Sequence, residues 1–512
     1  MKNILLIITL FAAMIGRAQA ADTSLQKSAI FKDSSKESYI VYAKDDGLGG
    51  FYMVRMFKNG MIASASGYYV EHYDKNMAVL KEYDYAPEYH AYEKFKTLVG
   101  VLSNNAQLHL IEIQYNIKEK AYLCTAHTTA LNDFKFTTRE LFRLSREEAD
   151  KLGSLKLDEL FYNSTSVVND SSIVSFIMDD DQTSFGVCLN LKSKDNKTFR
   201  LYTFDASLNK KLDHTYVRDV KNKHFAFRNI DVADNGNSIY LLGAVHMEEN
   251  KKHQYNYEIT HVTASGEKTA GFENDKPFAE SLKMLKVGSK LVCAGLYSED
   301  KAKWYSGISY FDIDPQTLVL RKVKHTPFSQ QLLGDKTKNS WWLPKFYKPL
   351  VFRDFIVTEN EDIIINAEEY YITNANNDII YNSDDIVTAA INKEGETLWI
   401  TNINKINSTH SDVAFISYTP SYKNGMLNFY INAADNVRNL DDGTIEFKET
   451  GRNRSAFTQV SVDGNGKINY RKLLDKNDNE VPFMSAKGIV LPDAVFFLGR
   501  RGSNKQLLKV NL

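Results

Sequence analysis

Residues 225–272 read FAFRNIDVADNGNSIYLLGAVHMEENKKHQYNYEITHVTASGEKTAGF, four extended runs joined by short polar turns. The first run is rich in aromatic and β-branched residues and stops at Asp234-Asn235-Gly236-Asn237, where Asn and Gly accept the positive φ of a tight hairpin. The second, 239–245, is apolar almost without a break. A strand wet on one face would alternate, so this one is expected to be buried on both. The third alternates, with Tyr255, Tyr257 and Ile259 on one side and Asn256, Glu258 and Thr260 on the other. Ala264-Ser265-Gly266-Glu267 turns it into a short polar fourth run. One such meander would leave a large apolar face exposed. Stacking like units around an axis covers both faces, which predicts a propeller blade.

The pattern recurs. FRDFIVTENEDIIINAEEYYI, from Phe352, sets against FRNIDVADNGNSIYLLGAVHM with Phe-Arg, a Val and the hairpin Asn aligned, and Gly395 matches Gly266. Similar strand–turn–strand closures begin at Tyr69, Leu201, Ser309 and Phe457. The spacing of about 50–80 residues fits four-strand blades with loop insertions, while strand spacing alone also admits a sandwich array. Units are expected over 39–80, 96–144, 160–220, 225–272, 281–323, 352–401 and 413–474, with a short helix over 145–157. The tail, 484–512, holds three runs and ends on the apolar KQLLKVNL. A strand at a terminus must pair with something to stay ordered. The missing run is expected from Ala29-Ile30-Phe31, so that both ends of the chain close one ring and remove its edge. This gives an all-β propeller of eight blades, with seven as the alternative.

The chain opens MKNILLIITLFAAMIGRAQA: a Lys, an apolar core and a small-residue site. It reads as a secretory signal peptide over 1–20 with cleavage after Ala20, followed by a single propeller domain over 21–512. The destination is then periplasmic or extracellular. No later apolar run is long enough to span a membrane. A formal net charge of −1 gives no long-range case for nucleic acid. Cys124, Cys188 and Cys293 all sit in apolar runs, which argues for buried thiols instead of a disulfide framework.

No zinc-binding H-E-x-x-H, nucleophile elbow or phosphate-binding loop is present in the sequence. The sequence leaves enzyme status open and leans against it. Glu368-Glu369 is a carboxylate pair ending an apolar strand. One of the two could reach the ring's mouth, or serve a solvated edge or a buried bond to the next blade. Asp463-Gly464-Asn465-Gly466 and DKNDNE, 475–480, cluster oxygens. They leave calcium open as a ligand, although Asp, Asn and Gly also form turns; no other cofactor is implied. The insertion over 326–349 carries Phe328, Trp341, Trp342, Phe346 and Tyr347. It could offer stacking surfaces for a sugar or peptide, or plug a gap between blades.

VFRDFIVTENEDIIINAEEYY, FRNIDVADNGNSIYLLGA, KLVCAGLYSE and LYTFDASLNKK together resemble a group of uncharacterised secreted β-propeller proteins of Bacteroidota. The likeness spans most of the mature chain and implies fold, with no established catalytic residues to carry over. The chain departs from it at Ala367, where relatives favour Gly. The expected function is an exported binding or scaffold protein for a glycan, peptide or protein partner. The alternative is a glycan- or peptide-active hydrolase or lyase with acidic residues at the channel mouth.

Overall fold

The computed structural model describes residues 25–33, 35, 37–58, 66–85, 96–104, 107–152, 174–179, 182–192, 196–221, 224–246, 255–274, 277–299, 305–329, 350–375, 378–440, 444–448 and 455–512. The opening stretch folds as its pattern requires. Strands Phe225–Ala233, Ser238–His246, Tyr255–Thr263 and Gly266–Phe272 pair antiparallel in that order. Asp234, Asn235 and Gly236 all carry positive φ in the first turn. The second strand is buried from Ser238 to Val245. Tyr255, Tyr257 and Ile259 are buried on the third while Asn256 and Glu258 are half-exposed. Thr260 departs from the expected alternation: it is buried, with its hydroxyl bonded to that of Thr269 at 2.9 Å.

Seven sheets built on four such strands form in chain order, over residues 37–85, 96–145, 174–218, 225–272, 278–327, 350–406 and 419–474, here blades 1 to 7, with an insertion between the second and third strands of blade 7. An eighth sheet joins the two ends of the chain: Ile489–Val490, Ala494–Arg501 and Asn504–Asn511 pair in turn, and Leu25–Lys27 adds outside them. The arrangement is a β-propeller. Seven continuous blades and the mixed terminal sheet make up the ring, and the two expected counts, eight and seven, differ by whether that terminal sheet is counted as a blade. Among the described residues, eight apolar clusters each straddle two neighbouring sheets, from blades 1 and 2 round to the terminal sheet and blade 1. Cys124, Cys188 and Cys293 lie buried in three of them as free thiols.

First strands sit innermost and touch one another around much of the ring. In blades 1, 2, 4, 5 and 6 the first strand skips register by one residue, at Val41, Val99, Arg228, Glu280 and Arg353. A bulge sharpens local twist, which suits a strand that must curve past its neighbours. Asn229 ties blade 4 to blade 5 by imitating a peptide group: its amide donates to Met284 O at 2.7 Å and accepts from Met284 N at 2.9 Å.

Three expectations shift. The helix occupies Arg146–Leu152 of the expected 145–157, its remaining residues lying outside those described. Blade 7 begins at Thr419, because Val413–Phe415 form a 3-10 turn held by the Asp412 carboxylate. The terminal pairing falls at Leu25–Lys27 and Phe31–Lys32, so that of the expected Ala29–Phe31 only Phe31 joins the ladder. Its cause is Ser28, whose hydroxyl takes the Leu507 N–H at 2.9 Å in place of a backbone carbonyl. The chain swings off the ladder there and leaves Ile30 exposed.

A buried ion cluster fastens this clasp to blade 1. Arg55 Nη1 donates to Asp33 at 2.8 Å, Arg55 Nε donates to Glu71 at 2.8 Å, and Ser38 donates to Asp33 at 2.6 Å. Removing the guanidinium would strand two buried carboxylates. Arg55→Ala is therefore expected to cost about 3–5 kcal/mol. Lys27→Ala, which removes an exposed bond to Asp478 O, should stay within about 0.5 kcal/mol. Denaturant unfolding measures both, and an Arg55→Ala cost below about 1 kcal/mol would refute the clasp.

Candidate functional site

Antiparallel blades give the ring two unlike faces. First-to-second and third-to-fourth connections emerge on one; second-to-third connections and the links between blades emerge on the other. The first face is built of tight turns. Asp46, Asp74, Asp205, Asp314 and Asp463 each turn a carboxylate oxygen onto backbone N–H groups two to four residues on. Such local bonds pre-form the turn. Of the stretches that left calcium open, Asp463 serves its own turn in this way. Asp475, in the link after blade 7, does likewise with Asn477 N at 2.7 Å and Asp478 N at 3.0 Å.

The second face carries the long connections. Among the described strands blade 6 has the longest hairpin: Ile363–Ala375 and Asp378–Ile391 run to 13 and 14 residues against 9 and 9 in blade 4. At about 3.3 Å per residue the hairpin is longer than that of blade 4 by roughly 15 Å. Near its tip Ile372 and Ile379 are 58% and 50% exposed. Strand Ser408–Thr409 pairs with its flank at Tyr381 and Asn382. The insertion with Trp341, Trp342, Phe346 and Tyr347 lies outside the described residues; the strands that bracket it end and begin on this face, at Pro327 and Leu350.

At the base of the long hairpin lies a sealed charge cluster. Glu368, fully buried, receives Arg353 Nε at 3.0 Å and Nη2 at 2.7 Å, Ser417 Oγ at 2.7 Å and Ser383 Oγ. Lys405 Nζ stands 3.2 Å away, also fully buried, and donates to Ile416 O at 2.9 Å. All four strands of blade 6 and the lead-in to blade 7 thus meet on one carboxylate. Burial alone would raise the Glu368 carboxyl, but Lys405, Arg353 and the two hydroxyls outweigh it and hold it below its ordinary value. Glu369 is buried at a register skip between Glu368 and Tyr370. The Arg353 guanidinium is partly exposed and lies 5.0 Å over the Tyr370 ring.

The cluster continues into the links after blades 6 and 7. Asn432 donates to Phe415 O at 3.0 Å and Phe483 O at 2.9 Å; Asn407 donates to Asn432 O at 2.9 Å; Ser485 donates to Ser417 O at 2.6 Å. Phe415 packs in one cluster with Met484, Phe496 and Leu498. Of the residues singled out in the sequence, the structure gives Glu368 an inter-blade bond and keeps Glu369 inside. Lys405, Ser383, Ser417 and Asn432 were not signalled. Each sits in an ordinary strand or loop context, and only the folded register brings them together.

A closed ring of blades with one plain and one elaborated face defines the class as a β-propeller. No protein-family model matches the chain, and no curated protein matches it. The chain is similar to the β-propeller domain of the trilobed protease from Pyrococcus furiosus, at 10% identity and TM-score 0.36 over 87% of this chain and 98% of that one. It is also similar to the polysaccharide lyase Uly1, at 12% identity and TM-score 0.40 over 81% and 90%, and to the WD40 domain of SCAP from fission yeast, at 6% identity and TM-score 0.32 over 94% and 97%. At these identities and scores the likenesses carry no argument about residues. Among the described residues, no helix is long and apolar enough to cross a membrane.

Lys405→Met leaves Glu368 with one cation fewer in a dry site. It is expected to destabilise by about 3–5 kcal/mol, and Glu368→Leu combined with it should recover a large part of the loss. A double-mutant cycle by denaturant unfolding reads the coupling; strictly additive losses would show that the pair does not act as a unit.

Proposed function

We propose that the protein is an exported binding protein or scaffold that presents its elaborated face to a glycan, peptide or protein partner. The inequality of the two faces carries the reading. The turn face spends its carboxylates on its own backbone, whereas the other face bears a projecting hairpin and the links between blades. Binding residues concentrate on loops held by a rigid frame. Trp341, Trp342, Phe346 and Tyr347 belong to an insertion bracketed by that face and are the chosen stacking residues. Glu368 supports the hairpin from below instead of meeting the ligand. The leader-like opening of the sequence supports export.

Thermal unfolding with soluble glycans, peptides and calcium tests the reading, because a ligand at a hundred times its Kd stabilises by about 2.7 kcal/mol. One ligand class is expected to raise Tm with concentration. Trp341→Ala with Trp342→Ala, or a hairpin shortened across 372–380, should weaken that effect about tenfold or more, and Asp463→Asn on the turn face should not. A ligand effect that survives both loop-face changes would sink the proposal. Turnover of the ligand would favour the hydrolase or lyase alternative.

A further inference from the structure

The long hairpin of blade 6 has two edges, and they are unequally covered. The outer edge, on Asp378–Ile391, is taken: Ser408–Thr409 pairs with Tyr381 and Asn382, and Ser383 N donates to Asn407 O at 2.9 Å. The inner edge, on Ile363–Ala375, pairs with Leu350–Val357 only as far as Glu369, which stands opposite Leu350. From Tyr370 to Ala375 the strand pairs with Asp378–Ser383 on one side, and among the described residues no strand lies on the other. First strands are innermost, so this open edge is the one turned toward the mouth of the channel. A six-residue antiparallel edge turns the N–H and C=O of every other residue outward, enough for about six hydrogen bonds. Open edges are ordinarily blunted by Lys, Pro or short length. Here 370–383 reads YYITNANNDIIYNS, without Lys, Arg or Pro, and 370–375 carries no charge at all. The chain's own continuation does not suit the place. Carried backwards in register, the first strand would set Pro349 against Tyr370 and Pro344 against Ala375. N–H groups alternate along a strand and these two positions differ in parity, so one of the prolines would withhold a bond from the ladder.

We propose that the inner edge, Tyr370–Ala375, takes an extended, uncharged segment of a partner polypeptide as an added strand. The inference rests on the elaborated face as the binding face and gives its partner a chemistry. Main-chain hydrogen bonds supply the affinity and alternate side chains the selectivity. Ile372, more than half exposed, offers a cross-strand contact to a β-branched or aromatic side chain on the incoming strand. No side chain along 370–375 carries a charge to meet one on that strand. The base of the edge is held in place before binding: the Tyr371 hydroxyl donates to Asp384 Oδ2 at 2.9 Å, and Arg353 lies over the Tyr370 ring. An edge already ordered costs less to occupy.

The probe is a displayed library of random heptapeptides panned on the full chain. Recovered peptides are expected to be rich in Val, Ile, Thr and Tyr and poor in Pro. A synthetic copy of the strongest, N-methylated at one residue at a time, should lose about tenfold in Kd at every second position, because only those N–H groups face the edge. Ile372→Lys with Thr373→Lys should weaken binding about tenfold or more, and Asp463→Asn should not. Alternate amides of 370–375 should exchange fast in the free chain and about tenfold more slowly with peptide bound. If the Lys variant does not fold, the methylation and exchange arms still decide. An empty selection, methylation losses without a period of two, or binding unchanged in the Lys variant would each overturn strand addition. So would slow exchange of all these amides in the free chain, which would show its own segment on the edge, or a dimer abolished by the Lys pair, which would make a second copy the occupant. A peptide that needs the hairpin but shows no period of two overturns strand addition alone. One that still binds after the hairpin is shortened and Trp341 and Trp342 are replaced by Ala overturns the binding face as well.

Discussion

The second strand of each blade carries apolar side chains to both sides of its sheet, and a strand of that kind can be hidden only between two other sheets. In blade 4 it is buried from Ser238 to Val245, with Leu242 and Ala244 turned toward blade 5 and Ile239 and Leu241 toward blade 3. The same demand, repeated in sheet after sheet, leaves no terminal layer that could face water. A ring satisfies it. The last gap is filled by strands from the two ends of the chain, and the hydrophobic driving force for closing it is the same as at every other seam.

Closure adds a polar requirement to the apolar one. Where the clasp meets blade 1, Arg55 neutralises two carboxylates, Asp33 just past the clasp strand Phe31–Lys32 and Glu71 on a strand of blade 1. Where blade 6 meets blade 7, Glu368, Lys405 and Arg353 do the same with their signs exchanged. Ion groups sealed this way add little net stability over apolar packing, yet they tolerate few alternative partners. They specify which sheet edge meets which lead-in, a useful property in a ring of similar blades. The links beyond blades 6 and 7, bound through Asn407, Asn432 and Ser485, extend this knitting to the terminal sheet.

The repeat, the hairpin at Asp234-Asn235-Gly236, the dry second strands and the joining of both ends were legible in the sequence, because periodicity and turn chemistry act over a few residues. Apolar alternation in 255–259 and the Phe-Arg start shared by blades 4 and 6 are signals of this local kind. The insertion that joins blade 7 to blade 6 was not legible: Ile445–Lys448 pairs parallel with Asn404–Ile406, and a four-residue strand has too little pattern to stand out. The exact clasp strand was missed because the side chain of Ser28 took over a backbone role that composition does not reveal.

The sequence by itself determined the class of element, the stacking of like units and the ring that follows, since all three are consequences of where apolar residues recur. Only the tertiary structure decided what Glu368 is. From the sequence it was half of an acidic pair that could reach the mouth of the ring. In the fold it is the meeting point of an arginine, a lysine and two serines drawn from three other strands and a link. Charge partners are chosen by distance in space, and nothing in the spacing of residues 353, 368, 383, 405 and 417 along the chain records that distance.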